Sequence, residues 1–289
     1  MKEAPMTKYN LSRRYRTGIL GAAGVILLCV LLLALLFLPP APTNTGETTS
    51  HTEPTEPTVS EYTPAPNLYG PDDFAYNGNY MACLAGEYSL GIDVSQFQGE
   101  IDWQQVKDAG ITFVFIRVGG RYGSGNADLY SDDLYQQHYA GAKAAGLKVG
   151  AYFFSQAITV QEAREEANFA LELMAGWELD LPVAYDWEHI NETTRTAGMT
   201  SDILTACVLE FCQIMEDSGM EAMLYTNAYY SDVGLDLEKL QNIPIWLAMY
   251  SDEMTYPYRI TAWQYTDKGV VPGISTYVDI DLYLQPLPA

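Results

Sequence analysis

The chain has little of what metal and thiol chemistry needs. Among 289 residues there are four cysteines and three histidines. His51, His138 and His189 stand far apart, with none of the paired spacings that hold zinc, so neither a metal nor another cofactor is expected. Cys29 lies in an apolar run, which leaves Cys83, Cys207 and Cys212. The last two fall on a helical pattern at about 140° from one another around the axis. That aim is poor for a disulfide, and buried thiols are the expectation. No Gly-x-Ser-x-Gly elbow and no phosphate loop occurs. Positive charge is also scarce: 15 Lys and Arg stand against 37 Asp and Glu, a net charge of −22. Five of the basic residues come before Gly18, so the remainder is more acidic still. Such a field repels nucleic acid, which is set aside as a partner.

Those five residues, Lys2, Lys8, Arg13, Arg14 and Arg16, form a basic tail over 1–17, followed by an uncharged run at 18–38. At about 1.5 Å per residue this run is long enough to cross a hydrocarbon core of about 30 Å. A basic flank ahead of it keeps the N-terminus cytoplasmic and the rest outside. The run ends in Phe37-Leu38-Pro39-Pro40 rather than in small residues, which favours an uncleaved anchor over a signal peptide. A single-pass membrane protein with its globular part on the outer, wall-facing side is therefore expected. Residues 39–66 are built from Pro, Thr, Glu and Ser, with Thr52-Glu53-Pro54 and Thr55-Glu56-Pro57 in tandem, and read as an extended linker. Residues 67–89 read as an extension of the globular domain, and 90–289 as the domain itself. One monomeric domain is expected.

Eight short apolar runs recur in that domain: 90–94, 113–118, 148–154, 182–186, 222–225, 244–248, 260–265 and 277–282. Most are continuously apolar, as strands buried on both faces of a parallel sheet are. Helical patterns fill 102–109, 132–145, 160–175 and 201–218, with Asp102 as a cap and Gly110 and Gly146 as stops. The later runs follow one another too closely for full helical crossovers. The pattern predicts an α/β fold, an irregular, flattened TIM-like β/α barrel whose active face lies at the C-terminal strand ends. Asp93, Asp186, Glu188 and Asn227 fall at such ends.

In Tyr185-Asp186-Trp187-Glu188 two acids stand two residues apart. On a strand they share one face, with Cα atoms about 6.5–7 Å apart. Two carboxyls so placed cannot both ionise freely, and one holds its proton to a higher pH. Glycosidic cleavage needs that pairing of an acid with a carboxylate. The alternative is a solvated strand end.

The segment Gly91-Ile92-Asp93-Val94-Ser95-Gln96-Phe97-Gln98-Gly99 through Trp103 resembles the opening strand and helix of glycoside hydrolase family 25, the Chalaropsis-type lysozymes. The likeness continues through Gly150-Ala151-Tyr152-Phe153-Phe154, Asp186-Trp187-Glu188, Ile245-Trp246-Leu247-Ala248, Trp263-Gln264-Tyr265 and Val278-Asp279-Ile280-Asp281. It implies a barrel with fewer than eight helices and a muramidase cutting the β-1,4 bond between N-acetylmuramic acid and N-acetylglucosamine in peptidoglycan. By that resemblance Glu188 is the acid/base, Asp186 holds the 2-acetamido group, and Asp93 and Asp279 are the acids of the first and last strands. This chain departs from the pattern at Trp187, at Phe153 where His is frequent, and at Asp281 where Asn is usual, so that either Asp279 or Asp281 faces the site.

Physically, Glu188 is the expected general acid, crowded by Asp186 and flanked by Trp187. Asp93 and Asp279 would supply negative potential to a cationic transition state; the structural alternative for Asp93 is an ion pair with Arg117. Tyr152, Tyr225, Trp246, Tyr250, Trp263 and Tyr265 are candidates for stacking on sugars, although Gln264 alternates to the opposite face from Trp263 and Tyr265. His189 reads as an incidental loop residue. The alternatives to a muramidase are a non-catalytic wall-binding module and a hydrolase of another acetamido-sugar polymer such as chitin.

Overall fold

The computed structural model describes residues 62–284. The basic tail, the apolar run at 18–38 and nearly all of the linker lie outside the described residues. Among the described residues no helix is long and apolar enough to cross a membrane.

A nine-stranded sheet forms the body. Its strands are β3 (Ser89–Val94), β4 (Phe113–Arg121), β5 (Leu129–Ser131), β6 (Lys148–Ser155), β7 (Val183–Trp187), β8 (Ala222–Asn227), β9 (Ile245–Ala248), β10 (Ala262–Gly269) and β11 (Val278–Tyr283). They follow the spatial order β3-β11-β10-β9-β8-β7-β6-β4-β5, and β3 also pairs with β4, closing the barrel. All neighbours from β3 through β4 and β6 to β10 run parallel. β11 runs antiparallel to both β10 and β3, and β5 is an antiparallel appendage on the end of β4. Barrel closure leaves no free edge along most of the ring.

Five α-helices occur among the described residues: α1 (Trp103–Asp108), α2 (Tyr135–Ala144), α3 (Val160–Leu173), α4 (Ser201–Asp217) and α5 (Ala228–Val233). Side-chain caps fix four of their starts: Asp102, Thr159, Thr200 and Asn227 each accept a backbone N–H of the first turn. No helix joins β9 to β10 or β10 to β11, as the short spacing requires.

The strand period of two divides the core into an inside and an outside. Inside the barrel, Phe113, Phe115, Met223, Trp246 and Tyr283 pack together, with the Phe115 and Trp246 rings stacked at 4.5 Å. Gly91 and Gly150 make room for them: a Cβ would come within 2.3 Å of the Phe113 ring at Gly91 and 2.4 Å of Phe115 at Gly150. Outside, Phe153, Tyr185 and Val183 bury against Phe211 and Val208 of α4 and the alanines of α3. On another flank Trp263, Ile280 and Val278 join Trp103 and Val106 of α1.

A hairpin of β1 (Phe74–Asn77) and β2 (Tyr80–Cys83) covers that flank. Phe74 meets Trp263 edge-on at 4.8 Å, and the Met81 N–H donates to the Tyr265 hydroxyl at 3.2 Å. The hairpin lies in the segment read from sequence as an extension of the globular domain. Its two-residue turn uses Gly78 at φ 69°, the glycine conformation such turns demand. Cys83, Cys207 and Cys212 are buried free thiols.

Candidate active site

Acids gather at one end of the barrel. Asp93 on β3 stands directly across from Asp279 on β11, while Asp186 ends the inward face of β7 and Glu188 follows two residues on. Together with Arg117, Tyr152, Tyr225, Trp246, Tyr250 and Gln264 they line a cavity of about 200 Å³. Asp281 lies beneath it, fully buried, and accepts the Trp246 Nε1–H at 2.8 Å. Of the two acids left open by sequence, Asp279 is the one that lines the cavity.

A polar chain fixes Asp93. The hydroxyls of Tyr225 and Tyr250 donate to Gln264 Oε1 at 2.9 and 3.0 Å, which orients the amide so that its Nε2–H donates to Asp93 Oδ2 at 2.6 Å. Arg117 does not pair with Asp93. Its Nε and Nη2 both reach Asp132 Oδ2, at 2.9 and 2.8 Å, and its guanidinium carries the Phe97 ring 4.9 Å away. The sequence puts Gln264 on the face opposite Trp263 and Tyr265, so that at most one of the two sets can face the substrate; the structure turns Gln264 into the cavity.

Trp263 and Tyr265 are corrected as substrate-stacking residues. Both point outward, beneath the β1–β2 hairpin, and Trp263 Nε1 donates to the Met249 carbonyl at 2.9 Å. Without the hairpin in view, nothing in the sequence marked that face as covered. Trp187 is corrected in the same way: it faces the α4 side and meets Tyr230 edge-on, so it does not wall the Glu188 carboxyl. Tyr152, Tyr225 and Trp246 do line the cavity. His189 sits outside it, 3.4 Å from Glu192.

Burial dominates the electrostatics. Asp186 is held well above the ordinary carboxylate range by burial, then by the charge of Glu188, with Arg117 pulling the other way. Burial raises Glu188 as well. The sequence assigns the rise on Glu188 to Asp186; in the structure desolvation comes first, and the two neighbouring carboxyls add their mutual repulsion. Asp93 is raised well above normal by burial and by Asp279 and Asp281. Asp279 is raised to about 6, through burial and then the Asp267 charge. Asp281 Oδ2 beneath the cavity and, among the acids lining it, Asp186 Oδ1 are buried with no hydrogen-bond partner. A buried acceptor without a donor costs about 1–3 kcal/mol, and an N–H from a molecule in the cavity would satisfy the Asp186 oxygen.

A closed β/α barrel with acids converging at one end, where the parallel strands finish, is the architecture of barrel glycoside hydrolases. The chain belongs to glycosyl hydrolases family 25, whose family model matches residues 92–274. It is 29% identical over 196 residues to the autolytic lysozyme of Clostridium acetobutylicum, covering 68% of this chain and 56% of that one. Lysozyme M1 of Streptomyces globisporus is 28% identical over 199 residues, with 65% of each chain covered. This chain thus spans somewhat under two thirds of the length of both relatives. The crystal structure of the bacterial lysozyme from Streptomyces coelicolor superposes with a TM-score of 0.58 at 26% identity, over 70% of this chain and 93% of that one.

Proposed function

We propose that the domain is a muramidase that hydrolyses the β-1,4 bond between N-acetylmuramic acid and N-acetylglucosamine in peptidoglycan strands. The observation that carries this reading is the unpartnered, buried Oδ1 of Asp186, an acid that lines the same cavity as Glu188 two residues on. A 2-acetamido N–H donated to that oxygen favours the ionised form of Asp186. The pair then keeps its proton on Glu188, which is where a general acid needs it. Substrate binding thereby sets the two protonation states that the free site leaves shared.

In this scheme Glu188 protonates the leaving oxygen as the glycosidic bond breaks. The acetamido carbonyl oxygen, aligned by Asp186, attacks the anomeric carbon from the other face. Glu188, now a carboxylate, takes a proton from water as that water opens the cyclic intermediate. Two inversions give net retention, and no protein nucleophile is needed. Asp93 and Asp279 hold negative potential beside the developing oxocarbenium charge, and Tyr152, Tyr225 and Trp246 offer rings to the sugar.

The test is mass spectrometry of digested peptidoglycan together with early proton NMR of a short glycan. N-acetylmuramic acid at the new reducing end, first seen as the β anomer, is expected. A new N-acetylglucosamine end refutes the bond assignment, an initial α anomer refutes acetamido participation, and turnover confined to chitin oligomers points to the other polymer. Binding without release of fragments would make the domain a wall-binding module.

The basic flank and the apolar run at 18–38 support a further part of the reading: a single-pass anchor with the domain facing the wall. Fractionation of the full chain with membranes, with the domain open to external protease, is the expected outcome.

A further inference from the structure

β6 and β7 are neighbours whose last paired residues are Ser155 and Trp187. One residue further on stand Gln156 and Glu188, past the point where the backbone ladder ends. The Gln156 side chain continues the ladder in its place. It is fully buried, and its Nε2 donates to the Ser155 carbonyl at 2.9 Å and to the Glu188 carbonyl at 3.0 Å. Its Oε1 accepts the buried Thr196 hydroxyl at 3.3 Å, which tells the amide which way round to lie.

Three loops meet at this amide. Gly123, after β4, passes so close that a Cβ there would lie 3.0 Å from Gln156 Oε1, with Ile190 and Thr194 of the loop after β7 next nearest. The platform beneath is rigid. Ser155 Oγ lies 2.6 Å from Glu166 Oε2 and 2.7 Å from the Tyr185 hydroxyl, and Glu166 is paired with Arg121 at 2.8 Å. Gln156 thus stands on a fixed base and reaches across to the main chain of the one acid that follows its strand rather than lying within it.

We infer that Gln156 is a positioning residue for Glu188, its buried amide fixing the main chain that sets where the Glu188 carboxyl stands in the cavity. The inference rests on Glu188 being the general acid. Without the clamp, the loop 188–196 is free to drift outward at its first residue. Displacement by about 1 Å of a reacting group can cost on the order of 10²-fold in rate. Asp93 and Asp279 stand on other strands, and Asp186 and Tyr152 lie within the paired ladder of β7 and β6 rather than past its end, so they keep their places and affinity is preserved.

Gln156→Met keeps length and removes all three bonds. About a 10–100-fold loss of kcat with KM changed less than about threefold is expected. The basic limb of the kcat profile should also move to lower pH, because Glu188 loses burial, the cause of its raised pKa. The groups facing Glu188 are untouched by the change: Asp186 on its own strand, Asp93 on β3, Arg117 on β4, Tyr225 on β8, Tyr250 after β9 and Asp279 on β11. Thr196→Val, which removes the hydroxyl that orients the amide and its contact with the Thr194 hydroxyl but leaves both Gln156 Nε2 bonds, should shift the same limb less far, and it decides the matter if Gln156→Met does not fold. An unchanged kcat and limb in either folded variant, or a kcat loss that only tracks the folded fraction, overturns the inference. Glu188→Gln is measured alongside: if it stays active, the reading of Glu188 as the acid fails, whereas if it is dead and Gln156→Met is normal, only the role of Gln156 falls.

Discussion

Asp186 and Glu188 differ by one methylene and two positions, and the barrel gives them different surroundings. Asp186 is buried at the strand end with an open oxygen, whereas Glu188 stands just past it on the cavity side. Glu188→Gln preserves shape but carries no dissociable proton, so kcat should fall by about 10²–10⁴ while glycan binding survives. Near wild-type turnover on isolated cell walls would remove Glu188 from the mechanism. Asp186→Asn should also be slow, since the acetamide loses its charged partner. Its residual kcat should show a basic limb at lower pH, because loss of the Asp186 anion makes Glu188 easier to ionise. Asp279 governs the other side of the profile. With its carboxyl raised to about 6, the negative potential it lends is absent in acid and develops as pH rises through that value. In Asp279→Asn the corresponding limb of kcat/KM near pH 6 should flatten, and the plateau should drop; an unaltered limb would assign that titration elsewhere.

The elements themselves were mostly written in periodicity. Each of the eight apolar runs matches a barrel strand, because a strand buried on both faces is built mostly of apolar residues. Gly91 shows how tightly that interior is filled: Gly91→Ala forces a Cβ to within 2.3 Å of the Phe113 ring. Overpacking of this kind costs about 1–3 kcal/mol, and calorimetry should show a lowered Tm. Phe113→Leu in the same chain should restore part of it. What period could not show was which side of β10 faces sugar. Trp263 and Tyr265 sit on the apolar face of their strand for a reason supplied far earlier in the chain, 184 residues before in the case of Met81 and Tyr265, by the β1–β2 hairpin that covers them. That hairpin has short strands with an exposed tip, so its own pattern is faint. The Asp186 and Glu188 pair was legible because strand geometry alone puts i and i+2 on one face. Gln264 and Gln156 were not, since an amide gains its role only from partners distant in sequence.

At the scale of the whole molecule, the concentration of raised carboxyls makes folding itself depend on pH. Asp93, Asp186, Glu188 and Asp281 are raised by burial, Asp279 reaches about 6, and Glu166, buried beneath Ser155, reaches about 7. In the unfolded chain carboxyls of these kinds ionise near 4. A folded state that holds protons more tightly is favoured below the unfolded pKa, and this share of stability is lost as pH climbs through the folded values. Opposing groups are fewer. Asp180 and Glu162 are lowered with burial opposed by hydrogen bonds and by the charges of Lys143 and Arg195, and they withdraw support only as pH falls below about 4. His138, lowered by burial, weakens the fold as pH drops below its unfolded value of about 6.5. Six raised acids outweigh these, and the net charge of −22 adds self-repulsion toward alkaline pH. The Tm of a chain beginning at residue 39, which removes the basic tail and apolar run and should leave a folded, active domain, is therefore expected to peak at about pH 5 and to decline steadily toward pH 8. Asp279→Asn, lacking one of the titrations, should show a shallower decline. Calorimetry at low protein concentration measures both, and a Tm that rises from pH 5 to pH 8 would mean that the cavity acids ionise in the folded domain much as they do in water.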